Sequence, residues 1–130
     1  MRTILCASDA PDELIGRAFA TVVDEVQREV RYQVGPSRVA LFVGSKFFFR
    51  TNDRIAGILL AVSNGATERI DLIYGGGGSG LLGAQWGAGD DLEGQLTEAI
   101  AGALRGAGLR FEESPGTPEG PSPPGSSPLP

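Results

Sequence analysis

RVALFVGSKFFFR at residues 38–50 and RIAGILLAVS at residues 54–63 decide how this chain folds. Both runs are rich in β-branched and aromatic residues, and both read with a period of two. In the first, Val39, Leu41, Val43, Phe47 and Phe49 fall on one face, and Ala40, Phe42, Lys46 and Phe48 fall on the other. In the second, Ile55, Leu59 and Ala61 oppose Ala56, Ile58, Leu60 and Val62. Asn52-Asp53 breaks the two runs apart. RYQV (31–34) and a Gly35-Pro36 turn precede them, and Asn64-Gly65 and ERIDLIY (68–74) follow. Short polar turns between β-rich runs predict an antiparallel meander. A sheet with one wet face alternates apolar with polar residues. Here both faces of the central strands are apolar, so the second face is expected to be partly covered. The cover is the chain's own Leu81–Trp86 segment, a second subunit or an apolar ligand.

Helical spacing flanks this block. TILCA (3–7) reads as a first strand, with Asp9 as the cap of a helix and Pro11 tolerated in its first turn. Leu14, Ile15, Ala18, Phe19, Val22, Val23, Val26 and Val30 recur at intervals of three and four, which predicts a helix over about 10–29. Further on, Asp90 and Glu93 stand at capping-box spacing before Leu92, Leu96, Ala99, Ile100, Ala103 and Leu104. Gly106 and Gly108 are the expected stop, and Leu109-Arg110-Phe111 an added edge strand. The predicted fold is α+β, an antiparallel β-meander of four to five strands with two helices packed on one face. The domain is read as residues 1–113. SPGTPEGPSPPGSSPLP (114–130) lacks the apolar side chains that offset ordering entropy and reads as a disordered tail.

Composition excludes several chemistries. No histidine occurs among the 130 residues, which removes Ser-His-Asp and Cys-His catalysis and most transition-metal sites. No group of ordinary pKa in the folded part titrates near neutrality. The single cysteine, Cys6, rules out an intramolecular disulfide, fits a reducing compartment and reads as a buried small hydrophobe. The apolar run near the N-terminus is too short for a signal peptide core or a membrane span. These features point to the cytoplasm. A net charge of −5 argues against nucleic acid, although Lys46 and Arg50 flank three phenylalanines. Asp90-Asp91 reads as a helix cap, so no metal and no cofactor are expected.

The stretch LIYGGGGSGLLGAQWGAGDDL (72–92) remains. Gly75, Gly77 and Gly80 satisfy G-x-G-x-x-G after a strand, the pattern that brings a backbone close to a pyrophosphate. The context fails, because the preceding strands read as antiparallel and LLGAQWGAG is a poor helix. The glycines instead permit tight bends and close approach, with Leu81, Leu82 and Trp86 as apolar anchors of a packed connection or a contact surface. GGGGSGLLGAQWGAGDDL before a helix, with KFFFR upstream, resembles a family of short uncharacterised bacterial proteins in which a glycine-rich segment leads into a Trp-Gly-Ala motif. The likeness covers most of residues 1–112 and implies no catalytic residue. The functional expectation is a small binding module that associates with itself, with Phe48, Leu81, Leu82 and Trp86 as interface candidates. A carrier of a small apolar ligand between sheet and helices is one alternative. An enzyme using the glycine loop as an anion or phosphate cradle is the other.

Overall fold

The chain runs β1 (Arg2–Cys6), α1 (Asp12–Val22), β2 (Glu25–Val34), β3 (Ser37–Phe48), β4 (Asp53–Ser63), β5 (Glu68–Gly76), α2 (Ala88–Gly106) and β6 (Phe111–Ser114). The computed structural model describes residues 2–49, 52–76 and 88–114. Among them, six strands form one antiparallel sheet in the order β2-β3-β4-β5-β1-β6. The α+β class and the β2–β5 meander agree with the sequence reading. The strand count exceeds four to five because β1 pairs with β5 on one side and β6 on the other. Ser114 belongs to β6, so the domain extends past residue 113. The proline-rich remainder of the predicted tail lies outside the described residues.

Both helices lie on the face carrying Ile4, Ala40, Phe42, Ile55, Leu59, Ala61, Ile70 and Leu72. From α1, Ile15 and Phe19 enter this layer, and the Phe19 ring sits 5.9 Å from that of Phe42. From α2 come Leu92, Leu96, Ile100 and Leu104, all fully buried. The cross-strand pair Gly44 and Gly57 sets how closely the helices approach. A Cβ at Gly44 would lie 2.7 Å from the Glu25 carbonyl and 2.9 Å from Val23 Cγ2. One at Gly57 would lie 3.1 Å from Leu96 Cδ1. Each glycine therefore seats one end of the helical layer directly on the backbone of the sheet.

Two helix boundaries differ from the periodicity. α1 ends at Val22, and β2 begins at Glu25. Val26 and Val30 satisfy a spacing of four and a spacing of two alike, and pairing with β3 selects the strand. Asp24 fixes the crossover: its N–H donates to Ser45 O, and its carboxylate accepts from the Phe47 N–H, both at 2.8 Å. Asp9 is not the cap. Pro11 holds the N-cap position with no side-chain bond, because Asp9 is engaged elsewhere. Likewise α2 starts at Ala88, so Asp90 lies inside its first turn and not at the cap. The C-terminal stop is as expected. Gly108 adopts φ 78°, Leu109 N–H donates to Leu104 O and Gly108 N–H to Arg105 O, which is a Schellman closure. In the 64–67 loop only Gly65 takes a positive φ. The Asn64 side-chain oxygen, Oδ1, instead accepts the Ala66 and Thr67 N–H groups at 2.8 Å.

Candidate functional site

The second face of the sheet carries no helix among the described residues. Three cross-strand rows lie there: Tyr32–Val39–Val62, Val30–Leu41–Leu60 and Val43–Ile58–Ile73. Alternation alone puts them there, since their neighbours in sequence feed the helix side. No described element covers them. Tyr32 is exposed, and the other residues of these rows are half-buried, shielded by one another across the pleat. Charge is confined to the rim. Arg28 stands on β2, and on β5 Arg69 Nε meets Asp71 Oδ2 at 3.0 Å while the Thr3 hydroxyl donates to Asp71 at 2.7 Å. Taking strand spacing of about 4.8 Å and a two-residue repeat of about 6.7 Å, the nine residues of these rows cover about 300 Å². That lies at the lower end of the largest patches on ordinary monomers, which are often functional.

A second cluster closes one end of the sheet on the helix side. Arg38, Ser63, Glu68 and Cys6 form a continuous row across β3, β4, β5 and β1. Asp9 lies over it from the segment between β1 and α1. Arg38 holds Asp9 bidentately, Nη2–Oδ1 2.9 Å and Nη1–Oδ2 3.2 Å, and reaches Asp12 Oδ2 at 3.2 Å. The Ser63 hydroxyl donates to Asp9 Oδ1 at 2.6 Å. Glu68, almost wholly buried, accepts the Ala10 N–H at 2.8 Å. Bonds from Arg38 and then from Ser63 hold the Asp9 carboxyl below its usual range. Burial pushes Glu68 up to about 7, more than the Ala10 N–H can offset. Burial, then the charge of Glu68, pushes the Cys6 thiol up to about 11, as suits an inert buried thiol.

Two carboxyls pushed in opposite directions are a known mark of acid–base sites. Here each is consumed in tying the 7–11 segment and the start of α1 to the β3, β4 and β5 ends. Glu68 opens β5, whereas Gly75 and Gly76, the first two residues of the glycine run, end it. Glu68 and Gly76 are therefore separated by the length of the strand, about 26 Å at the usual rise per residue. Sequence reasoning missed this clasp, yet a signal existed. Arg38 shares its face with Ala40 and Phe42, and Glu68 shares its face with Ile70 and Leu72, so opposite charges end two apolar rows.

Of the predicted site residues, Gly75 lies in β5 opposite Ala56. Both neighbours of β5 run antiparallel to it, so the strand before the glycine run is not part of a βαβ nucleotide unit. Phe48 ends β3 on the helix side, packed against the core with Lys46 Nζ 6.0 Å from its ring centre. It is not on the open face. Gly77, Gly80, Leu81, Leu82 and Trp86 lie outside the described residues. The layer between sheet and helices, where an apolar ligand was an alternative, holds the fully buried side chains of Phe19, Phe42, Leu59, Leu72, Leu92 and Leu96. A groove of about 760 Å³ beside α2 is lined by polar and charged residues such as Arg2, Lys46, Gln95 and Glu98. Among the described residues no group of three or more acids or cysteines is arranged for a metal, and no helix is long and apolar enough to cross a membrane.

Comparison of the chain with protein-family models, with characterised proteins and with solved structures finds no match. The functional reading therefore rests on the geometry alone.

Proposed function

We propose that this protein is a non-enzymatic interaction module of a cytoplasm that binds a second copy of itself through the open face of its sheet. One observation carries the reading: the Val30–Leu41–Leu60 and Val43–Ile58–Ile73 rows face away from both helices with charge only at their rim. Two such faces in contact bury roughly 600 Å² in total through these rows, the size of a weak, transient association. Aligned sheet-on-sheet packing interdigitates aliphatic rows of this kind about 10 Å apart. Asp9 is engaged by Arg38 and Ser63, and Glu68 by the Ala10 N–H, which supports reading both as structural groups.

The test is native mass spectrometry and sedimentation velocity on the full chain at tens of micromolar, beside Leu60→Lys. A wild-type dimer that becomes a folded monomer in the variant supports the reading. A bare wild-type monomer overturns it. A monomer carrying added mass overturns it too, in favour of a bound small molecule.

A further inference from the structure

The exposed edge of β2 has a sequence that complements itself. Among the described residues β2 pairs only with β3, stands at the end of the sheet and is exposed at every position except the half-buried Val30. A ten-residue edge with no described partner invites another strand, and proteins ordinarily blunt such edges with charged side chains, prolines, bulges or very short strands. The opposite edge does this. β6 has four residues, FEES, and a two-fold pairing centred on either glutamate sets Glu112 or Glu113 against its own copy.

β2 is also charged and carries a bulge, but its charges alternate in sign about its middle. Its stretch Val26–Val34 reads VQREVRYQV, the same in both directions at five of nine positions. Two copies joined edge to edge around a two-fold axis must run antiparallel with the helices of both on one side. Residues then pair only with residues on the same face, so the register can shift only in steps that keep position numbers both odd or both even. Centred on Val30, the regular part of the strand sets Glu29 opposite the second copy's Arg31, Arg28 opposite its Tyr32, and Val30 opposite its Val30. The bulge at Val26/Arg28 turns Val26, opposite Gly44, to the helix side while Val34 stays on the open side, so the matched register runs from Arg28 to Tyr32. Centring on residue 29 would set Glu29 against Glu29, and centring on residue 31 would set Arg31 against Arg31. Like charges directly opposite one another destabilise a strand pair, and opposite charges stabilise it. Within one chain Glu29 and Arg31 already touch, Oε2–Nη2 2.7 Å, so the seam would carry four charges of alternating sign. On the other face Arg28 would lie against the ring of Tyr32, a cation–π partner.

We infer that a second copy of this chain docks on β2 in an antiparallel register centred on Val30, joining two six-stranded sheets into one. The inference shares with the open-face reading the premise that the chain binds its own copy, but it joins the copies through the backbone edge of β2, whose Val30 and Tyr32 side chains also lie on the open face. The edge-joined pair places both open faces side by side.

Single-cysteine scanning of the full chain tests it. Antiparallel partners are about 4.5–5.5 Å apart at Cα, within disulfide range. Cys6, the only native cysteine, is buried and gives little background. Under mild oxidation Val30→Cys is expected to form a cross-linked dimer nearly completely. Arg28→Cys or Tyr32→Cys alone is expected not to, whereas the two mixed give the heterodimer. Glu29→Arg is expected to weaken the dimer about tenfold. Cross-linking at 28 or 32 alone as strong as at 30 overturns the register. A wild type that is oligomeric while Val30→Cys stays monomeric on a non-reducing gel overturns the edge and leaves the open face standing. A cross-linked Val30→Cys with a Leu60→Lys variant that keeps the wild-type oligomeric state does the reverse.

Discussion

On the helix side of β4, Leu59 is fully buried between Phe42 and Leu72. On the other side its neighbour Leu60 stands half-buried between Leu41 and Asp71 with nothing described above it. The two leucines share a strand, a side chain and a hydrogen-bonding ladder. They differ only in the direction their Cβ points, and that decides whether each works for the monomer or is left for a partner. The helix-side rows are complete: two glycines let α1 and α2 down to the backbone, and twelve side chains of the core are almost fully buried. The open rows are as apolar but have no second layer among the described residues. A sheet that needed only one core would carry polar residues on its second face.

The largest expected effect tests whether the two faces differ as energetic layers. Leu59→Ala removes side-chain volume from a site that cannot collapse easily and is expected to cost about 2–5 kcal/mol. Leu60→Ala is expected to cost the folded monomer less than about 1 kcal/mol. Urea unfolding at a concentration low enough to keep the chain monomeric compares the two. Equal losses would mean that the open face is covered within the monomer.

Which residues share a face was legible in the sequence, because a period of two survives in every strand from residue 39 onward. The open face itself was foreseen as a surface in need of a cover. Three things were not legible. The start of β2 was hidden because Val22, Val26 and Val30 obey helical and strand spacing together, and only its partner β3 breaks the tie. The six-stranded order was hidden because β1 and β6 meet through contacts distant in sequence, Cys6 opposite Phe111. The clasp was hidden because Asp9 looks like a helix cap locally, and only the fold brings it to Arg38 and Ser63. Local spacing reads local structure well, and a residue used at long range is misread as serving its neighbours.

The next largest effect sharpens the helix side at its polar end. The folded pKa of Glu68, about 7, lies above its ordinary value of 4.5, so folding takes up a proton between those values. The resulting stabilisation is fully present below about pH 4.5 and is lost as pH rises through 7, about 3 kcal/mol over the window. Asp9 works the other way: its contribution is present above its ordinary value of 3.8 and is lost as pH falls through its lowered folded value. Stability is therefore expected to peak near pH 4–5 and to decline toward pH 8. Glu68→Gln keeps an acceptor for the Ala10 N–H and removes the titration. Thermal unfolding from pH 5 to pH 8 is expected to show a falling Tm in the wild type and a nearly level one in this variant. A wild-type Tm that stays level over that range would mean Glu68 is ionised in the folded protein without penalty.

Smaller again is the effect of the helix seats. Gly44→Ala drives a methyl into the Glu25 carbonyl, which belongs to backbone and cannot swing away, and is expected to cost about 1–3 kcal/mol. Gly57→Ala meets the ends of Leu96 and Leu92, which shift more readily, and is expected to cost less. Denaturant midpoints rank the two. A reversed order would place the tighter seat under α2.

The smallest expected effect on folding is the one with the greatest consequence for assembly. Leu60→Lys replaces a half-buried leucine on the open face with a long side chain that can lay its stem along Leu41 and hold its ammonium in water. Asp71, the cross-strand neighbour of Leu60 on β5, supplies a nearby opposite charge. The monomer is expected to lose within about 0.5 kcal/mol, the usual range for a surface substitution. A self-association that stacks two open faces would instead trap the new charges in a dry layer, where an unpaired ammonium is strongly disfavoured. Unchanged stability with a lost dimer separates the two faces of β4 by function, since one leucine holds the fold and the next holds the partner. Unchanged stability with an unchanged oligomeric state would assign the open face to something other than a copy of this chain.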